Sequence, residues 1–97
     1  MHKKLALLAA GVALLSTNAF AVSHGEIIGS TCFSCHGPSG KSGGAIPSIA
    51  GLEKAYFVTA MQEFKSGKRP ASVMKKHAVG YTDAEYAEMG EFFSKIK

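Results

Sequence analysis

From about position 52 to the end of the chain, apolar residues recur at helical spacing. Tyr56, Phe57, Ala60, Met61 and Phe64 share one face, with Glu53, Lys54, Glu63 and Lys65 largely opposite, which predicts an amphipathic helix opening near Leu52. Gly67 closes that helix, and Pro70 keeps it from resuming. A second stripe, Tyr86, Met89, Phe92, Phe93 and Ile96, follows "TDAE", where Thr82 and Glu85 have the spacing of a capping box. A helix is therefore expected from there to the C-terminus. Between the two, Ser72 to His77 predicts a turn or two of helix ended by Gly80. Upstream, Ser23 suits the N-cap of a helix running from about His24 toward Cys35, with Gly25 and Gly29 four apart on a smooth face. The pattern lapses over 37–51, where five glycines with Pro38 and Pro47 predict a loop. Alternating β-branched runs are missing, so the fold class expected is all-α.

The first residues follow a different pattern. Met1-His2-Lys3-Lys4 is basic, Leu5 to Leu15 is an apolar run, and "STNAFA" sets Ala19 and Ala21 at the small-residue positions of a cleavage site. The run is about half of the ~20 residues that a membrane helix needs, so residues 1–21 are expected to be a secretory signal peptide cut after Ala21. That predicts a single exported, periplasmic domain over 22–97, with no stable membrane insertion. The formal charge of +4 includes Lys3 and Lys4, and what remains is too close to balance to suggest a nucleic-acid partner. A domain this short buries little apolar surface against its ordering cost and needs a staple.

The chain has 2 cysteines, and both lie in "TCFSCHGPSG". A structural zinc site needs four ligands, yet the other histidines expected in the exported chain, His24 and His77, are not in finger-like spacing. A redox dithiol belongs at a strand-to-helix junction, and no strand pattern is present. A disulfide inside C-x-x-C closes too small a loop to restrain the unfolded chain much. Covalent haem attachment also explains the fifth residue of the motif: Cys32 and Cys35 would form thioethers and His36 would reach the iron. The haem would also supply the apolar core that the chain lacks.

The second axial position of such an iron decides the function. Met61 and Met89 fall within helical stripes and read as core. Met74 follows "GKRPAS", outside the two strong helical patterns, where a ligand is more easily aimed along the ring normal. His77 is a rival ligand three residues on. A third alternative is an open site, which would make the protein a haem-based ligand sensor or a catalytic haem with an exchangeable sixth ligand. A thioether ligand would instead close the site and raise the potential, as an electron carrier requires.

The stretches "CFSCHGPSG", "AIPSIAGL", "EFKSGKRPASVM" and "GYTDAEYAEMGEFFSKI" resemble the class I c-type cytochromes, and within them the cytochrome subunits of flavocytochrome c sulfide dehydrogenases. The resemblance runs from Gly29 to Lys97. It implies the small class I cytochrome c fold, short helices around one covalently bound haem c, with Gly29 and Gly90 at the crossing of the first and last helices. It further implies thioethers at Cys32 and Cys35, axial ligation by His36 and Met74, and a hydrogen bond from the other ring N–H of His36 to the Pro47 carbonyl. The subunits it resembles are often longer and carry a second haem, whereas this chain has one motif. The implied role is single-electron transfer with a redox protein partner, as a free carrier or as the electron-accepting subunit of a flavoprotein sulfide dehydrogenase.

Overall fold

A computed structural model describes residues 21–97. The expected leader over 1–21 therefore lies, apart from Ala21, outside the described residues. Within them the chain forms helices α1 (His24–Gly29), α2 (Phe33–His36), α3 (Lys54–Ser66), α4 (Met74–Ala78) and α5 (Asp83–Ser94), with 3₁₀ turns at Ser30–Cys32 and Pro38–Gly40. No strand occurs among the described residues.

Local chemistry sets these boundaries. The Ser23 hydroxyl accepts from the Glu26 amide at 3.1 Å and so caps α1. Ser30 and Thr31 then turn their hydroxyls back to the carbonyls of Ile27 and Ile28, at 2.8 and 2.6 Å, where the helix tightens into its 3₁₀ turn. Helical backbone continues to His36 and breaks at Gly37, with φ 91°. α5 opens on the expected capping box: Thr82 Oγ1 accepts from Glu85 N at 3.1 Å, and Glu85 Oε1 accepts from Thr82 N at 3.0 Å.

The core joins Phe57 and Met61 of α3, Ala78 of α4, and Tyr86, Met89 and Phe93 of α5. Phe93 stacks on Phe57 with ring centroids 5.5 Å apart and meets Phe33 of α2 edge-on at 6.2 Å. Helix α4, of 5 residues, is too short to be stable alone. It is tied to α5 by the buried Tyr86 hydroxyl, which donates to the Ala78 carbonyl.

The crossing of α1 and α5 differs from the expected Gly29–Gly90 contact. Gly25 lets the backbone of α1 rest against the Glu88 carbonyl, where any Cβ would collide. Gly29 receives the Phe92 ring, whose nearest carbon is 2.9 Å from the place a Cβ would take. Gly90 stands elsewhere, its missing Cβ facing the Lys54 carbonyl of α3 at 3.2 Å. Helical periodicity is the reason: Glu88 and Phe92 are one turn apart on the α1-facing side, whereas Gly90 is rotated about 200° from Glu88.

Candidate functional site

The loop between α2 and α3 is held at its neck by Gly40. Its carbonyl accepts from the amides of Ile49 and Ala50 at 2.8 and 3.1 Å. Gly40 has φ 76°, and a Cβ there would lie 2.9 Å from Ile49 Cγ1 and 3.0 Å from the Phe93 ring. Both the conformation and the space require glycine. A further bond, Gly51 N to Phe93 O at 2.8 Å, fastens the end of the loop to α5.

Closing the loop in this way brings the Pro47 carbonyl to 2.6 Å from His36 Nδ1. A carbonyl can only accept, so Nδ1 carries the proton and Nε2 is left with a free lone pair. His36 closes α2 and is 9% exposed, which fixes its ring in the interior.

His36 opens onto a cavity of about 520 Å³, a size typical of cofactor sites. The 3₁₀ turn supplies Cys32, and α2 supplies Cys35 and His36, to one side; Pro47 comes from the loop, and Met74 from the start of α4. All five residues singled out from the sequence therefore line one cavity. Met61 and His77 line it as well. Met89 is fully buried in the core away from it, and His24 pairs with Glu88 at the α1–α5 crossing.

The two cysteines are not bonded to each other. Burial pushes the Cys32 thiol up from its ordinary value, outweighing a hydrogen bond with Thr31, and the neighbouring Cys35 adds to the rise. A redox-active C-x-x-C needs the opposite, a thiol shifted toward thiolate.

One cavity residue, Arg69, reads from the sequence as a surface charge beside Lys68 on the docking rim, and not as part of the site. After the left-handed Gly67 at the end of α3, the chain doubles back so that Arg69 N bonds the Glu63 carbonyl at 3.1 Å. The guanidinium Nη2 donates to Glu63 Oε1 at 3.0 Å, with its carbon 5.8 Å from the Tyr56 ring centroid and 5.5 Å from that of Phe64. Its Nε is shut off from solvent and has no hydrogen-bond partner among the described residues. In the sequence "GKRP" reads as a solvated surface turn, and only the reversal at Gly67 turns Arg69 inward.

This donor set fits haem c. Two thiols can bond its vinyl carbons, and an imidazole with a free lone pair and a thioether can take the iron. Helical fold, C-x-x-C-H cavity and donor set together define a c-type cytochrome. The family model for cytochrome c matches residues 21–95, and the chain belongs to the cytochrome c family. It is 43% identical over 74 residues to the cytochrome subunit of sulfide dehydrogenase from Chlorobaculum tepidum, a match covering 76% of this chain and 67% of that one. It is also 30% identical over 69 residues to a thiosulfate dehydrogenase electron acceptor from Thiomonas intermedia, covering 69% of this chain but 32% of the other. The protein is thus an electron-transfer cytochrome with covalently bound haem c.

Proposed function

We propose that the chain is an exported, mono-haem carrier of single electrons that performs no bond chemistry itself, and that it accepts electrons from a flavoprotein sulfide dehydrogenase. The observation that carries the site assignment is the joint opening of Cys32, Cys35, His36 and Met74 onto one cavity. Bound haem c supplies a one-electron iron couple whose ligands do not change between oxidation states.

The chain's own residues do the rest. Cys32 and Cys35 anchor the cofactor, so that it is not lost by dilution outside the cytoplasm. The Pro47 carbonyl holds the imidazole plane of His36 and raises its basicity. Met74 is the second axial ligand. Its half-buried side chain opens onto the cavity, whereas Met61, 6% exposed, belongs to the buried core cluster with Phe57 and Phe93. Phe57, Phe64 and Leu52 keep water from the cavity, and no reacting atom enters it.

Export is supported by the leader pattern over 1–21, and no helix among the described residues is long and apolar enough to cross a membrane. The donor assignment rests on likeness to the cytochrome subunit of a sulfide dehydrogenase.

His77 supports a second reading, because it lines the same cavity one helical turn beyond Met74. Met74→Ala and His77→Ala separate the two. Under the present reading Met74→Ala loses low-spin thioether ligation and its potential falls, while His77→Ala keeps both spectrum and potential. The reverse pattern assigns the iron to His77.

A further inference from the structure

We infer that Tyr81 is a positioning residue that keeps Met74 seated in the cavity, by tying the ligand-bearing helix α4 to the turn that carries Cys32. The inference rests on the reading of Met74 as the second axial ligand and goes one step past it, to the group that governs how readily that ligand leaves.

Met74 opens a helix with little support on its upstream side. Residues 71–73 are exposed, and their amides make no hydrogen bond among the described residues. Downstream the chain is bound back step by step, with Val79 N on the Lys75 carbonyl at 3.1 Å, Gly80 N on that of His77 at 3.1 Å and Tyr81 N on that of Ala78 at 3.2 Å. Helix α4 and Tyr81 therefore move as one piece. Two groups hold this piece to the neighbouring helices: the Tyr86 hydroxyl donates to the Ala78 carbonyl, and Lys65 Nζ donates to the Tyr81 carbonyl at 3.3 Å.

The Tyr81 phenol makes a different kind of tie. It reaches Thr31 Oγ1 at 3.3 Å across 50 positions of sequence. The Thr31 hydroxyl proton is committed to the Ile28 carbonyl at 2.6 Å, so the phenol donates and the Thr31 oxygen accepts. Among the described residues this is the one hydrogen bond that joins residues 67–81 to residues 30–36. Thr31 directly precedes Cys32, and both line the cavity together with Tyr81 and Met74. Tyr86 and Lys65 thus place α4 relative to the protein, whereas Tyr81 places it relative to the residue that anchors the cofactor. For an outside ligand such as imidazole to replace the thioether, an iron–sulfur bond breaks and an iron–nitrogen bond forms, with no change in oxidation state. Met74 must withdraw for this, and α4 with it, and the phenol opposes that movement.

Stopped-flow mixing of the oxidised holoprotein with imidazole tests the role, because at high imidazole the rate levels off at the rate at which Met74 leaves. Tyr81→Phe keeps the ring and removes the donor. A long, partly exposed O–H···O bond contributes modestly, so the plateau rate should rise about two- to fivefold. Thr31→Val removes the acceptor at nearly constant shape and should give the same rise, while Thr31→Ser keeps the hydroxyl and should keep the original rate. Both changes delete one bond, so the double variant should be no faster than either single variant. An unmoved plateau in Tyr81→Phe, even with a lowered unfolding midpoint, makes the tyrosine merely structural and overturns the proposal; so do two effects that multiply in the double variant. Should Thr31→Val fail to fold, Tyr81→Phe and Thr31→Ser decide: a raised plateau in the first and an unchanged one in the second support the role, and any other pair removes it. The thioether-to-iron charge-transfer band of the unsubstituted protein reports Met74 independently. Without that band the ligand reading falls and the inference with it, whereas a normal band with an unmoved plateau sinks the role of Tyr81 alone.

Discussion

His36 Nδ1 and the Pro47 carbonyl lie 2.6 Å apart although 11 positions separate them in the chain. The loop that joins them is held by Gly40, so the orientation of the imidazole depends on a residue that never touches the cavity wall. Gly40→Ala should destabilise the protein by about 1–3 kcal/mol, since it puts a Cβ at positive φ and against Ile49. In the reduced, diamagnetic protein it should also speed exchange of the His36 ring N–H with solvent. Proton NMR of that resonance is the check, and an unchanged exchange rate would detach the loop from the ring.

The sequence allowed this loop to be located but not its closure. Glycine and proline signal irregular backbone locally, whereas the pairing of Gly40 with Ile49 and Ala50 is a long-range fact. The same contrast holds elsewhere. Thr82 and Glu85 spell their capping box within four residues, and Ser23 spells its cap, so both helix starts were legible. The Gly25–Gly29 face of α1 was legible as well, but that Glu88 and Phe92 meet it instead of Gly90 was not, because that depends on which side of α5 faces α1. Arg69 was legible only as a rim charge beside Lys68: the turn at Gly67 that brings it to the cavity is seen only when the chain is folded back over Glu63.

The α1–α5 crossing offers a second test. Gly25→Ala forces a methyl against the backbone at Glu88 and should cost about 1–3 kcal/mol, the usual cost of overpacking. The haem spectrum should not change, because neither Gly25 nor Glu88 lines the cavity. Thermal or denaturant unfolding of the holoprotein measures the first, and visible absorption the second.

Tyr86 links stability to alkaline pH. Burial, reinforced by the charge of Asp83, raises its phenol above the ordinary value of 10.0. A group whose folded pKa is raised stabilises the fold below its unfolded value and loses that contribution as pH climbs through the folded one. The protein should therefore weaken above about pH 10. Tyr86→Phe should remove that slope and, by taking one of two donors from the Ala78 carbonyl, which keeps the Tyr81 amide at 3.2 Å, cost about 0.5–1.5 kcal/mol at neutral pH. Denaturation midpoints across a pH series decide it, and an unaltered alkaline slope in Tyr86→Phe assigns the slope to another group.

Lys75 and Lys76 are exposed on α4 directly after Met74, and Lys68 lies exposed in the preceding turn. Rim charges of this kind steer encounters and are screened by salt. The double variant Lys75→Glu, Lys76→Glu should slow electron transfer with an acidic-faced redox partner at low ionic strength and leave the haem spectrum intact. Stopped-flow rates over a salt series with several donors and acceptors test this. Rates indifferent to both charge and salt would point to a mainly apolar, permanent subunit contact.

The claim on which the functional account turns is that the cavity closes around the iron with His36 on one side and Met74 on the other. Near-infrared magnetic circular dichroism of the oxidised holoprotein reads the axial pair directly, because low-spin imidazole–thioether and bis-imidazole irons give charge-transfer bands at different energies. The account predicts the imidazole–thioether band, carried by six-coordinate low-spin iron in a protein whose haem survives acid–solvent extraction. A bis-imidazole band would transfer the ligand role to His77, and a high-spin iron would make this an open, ligand-binding haem in place of an electron carrier.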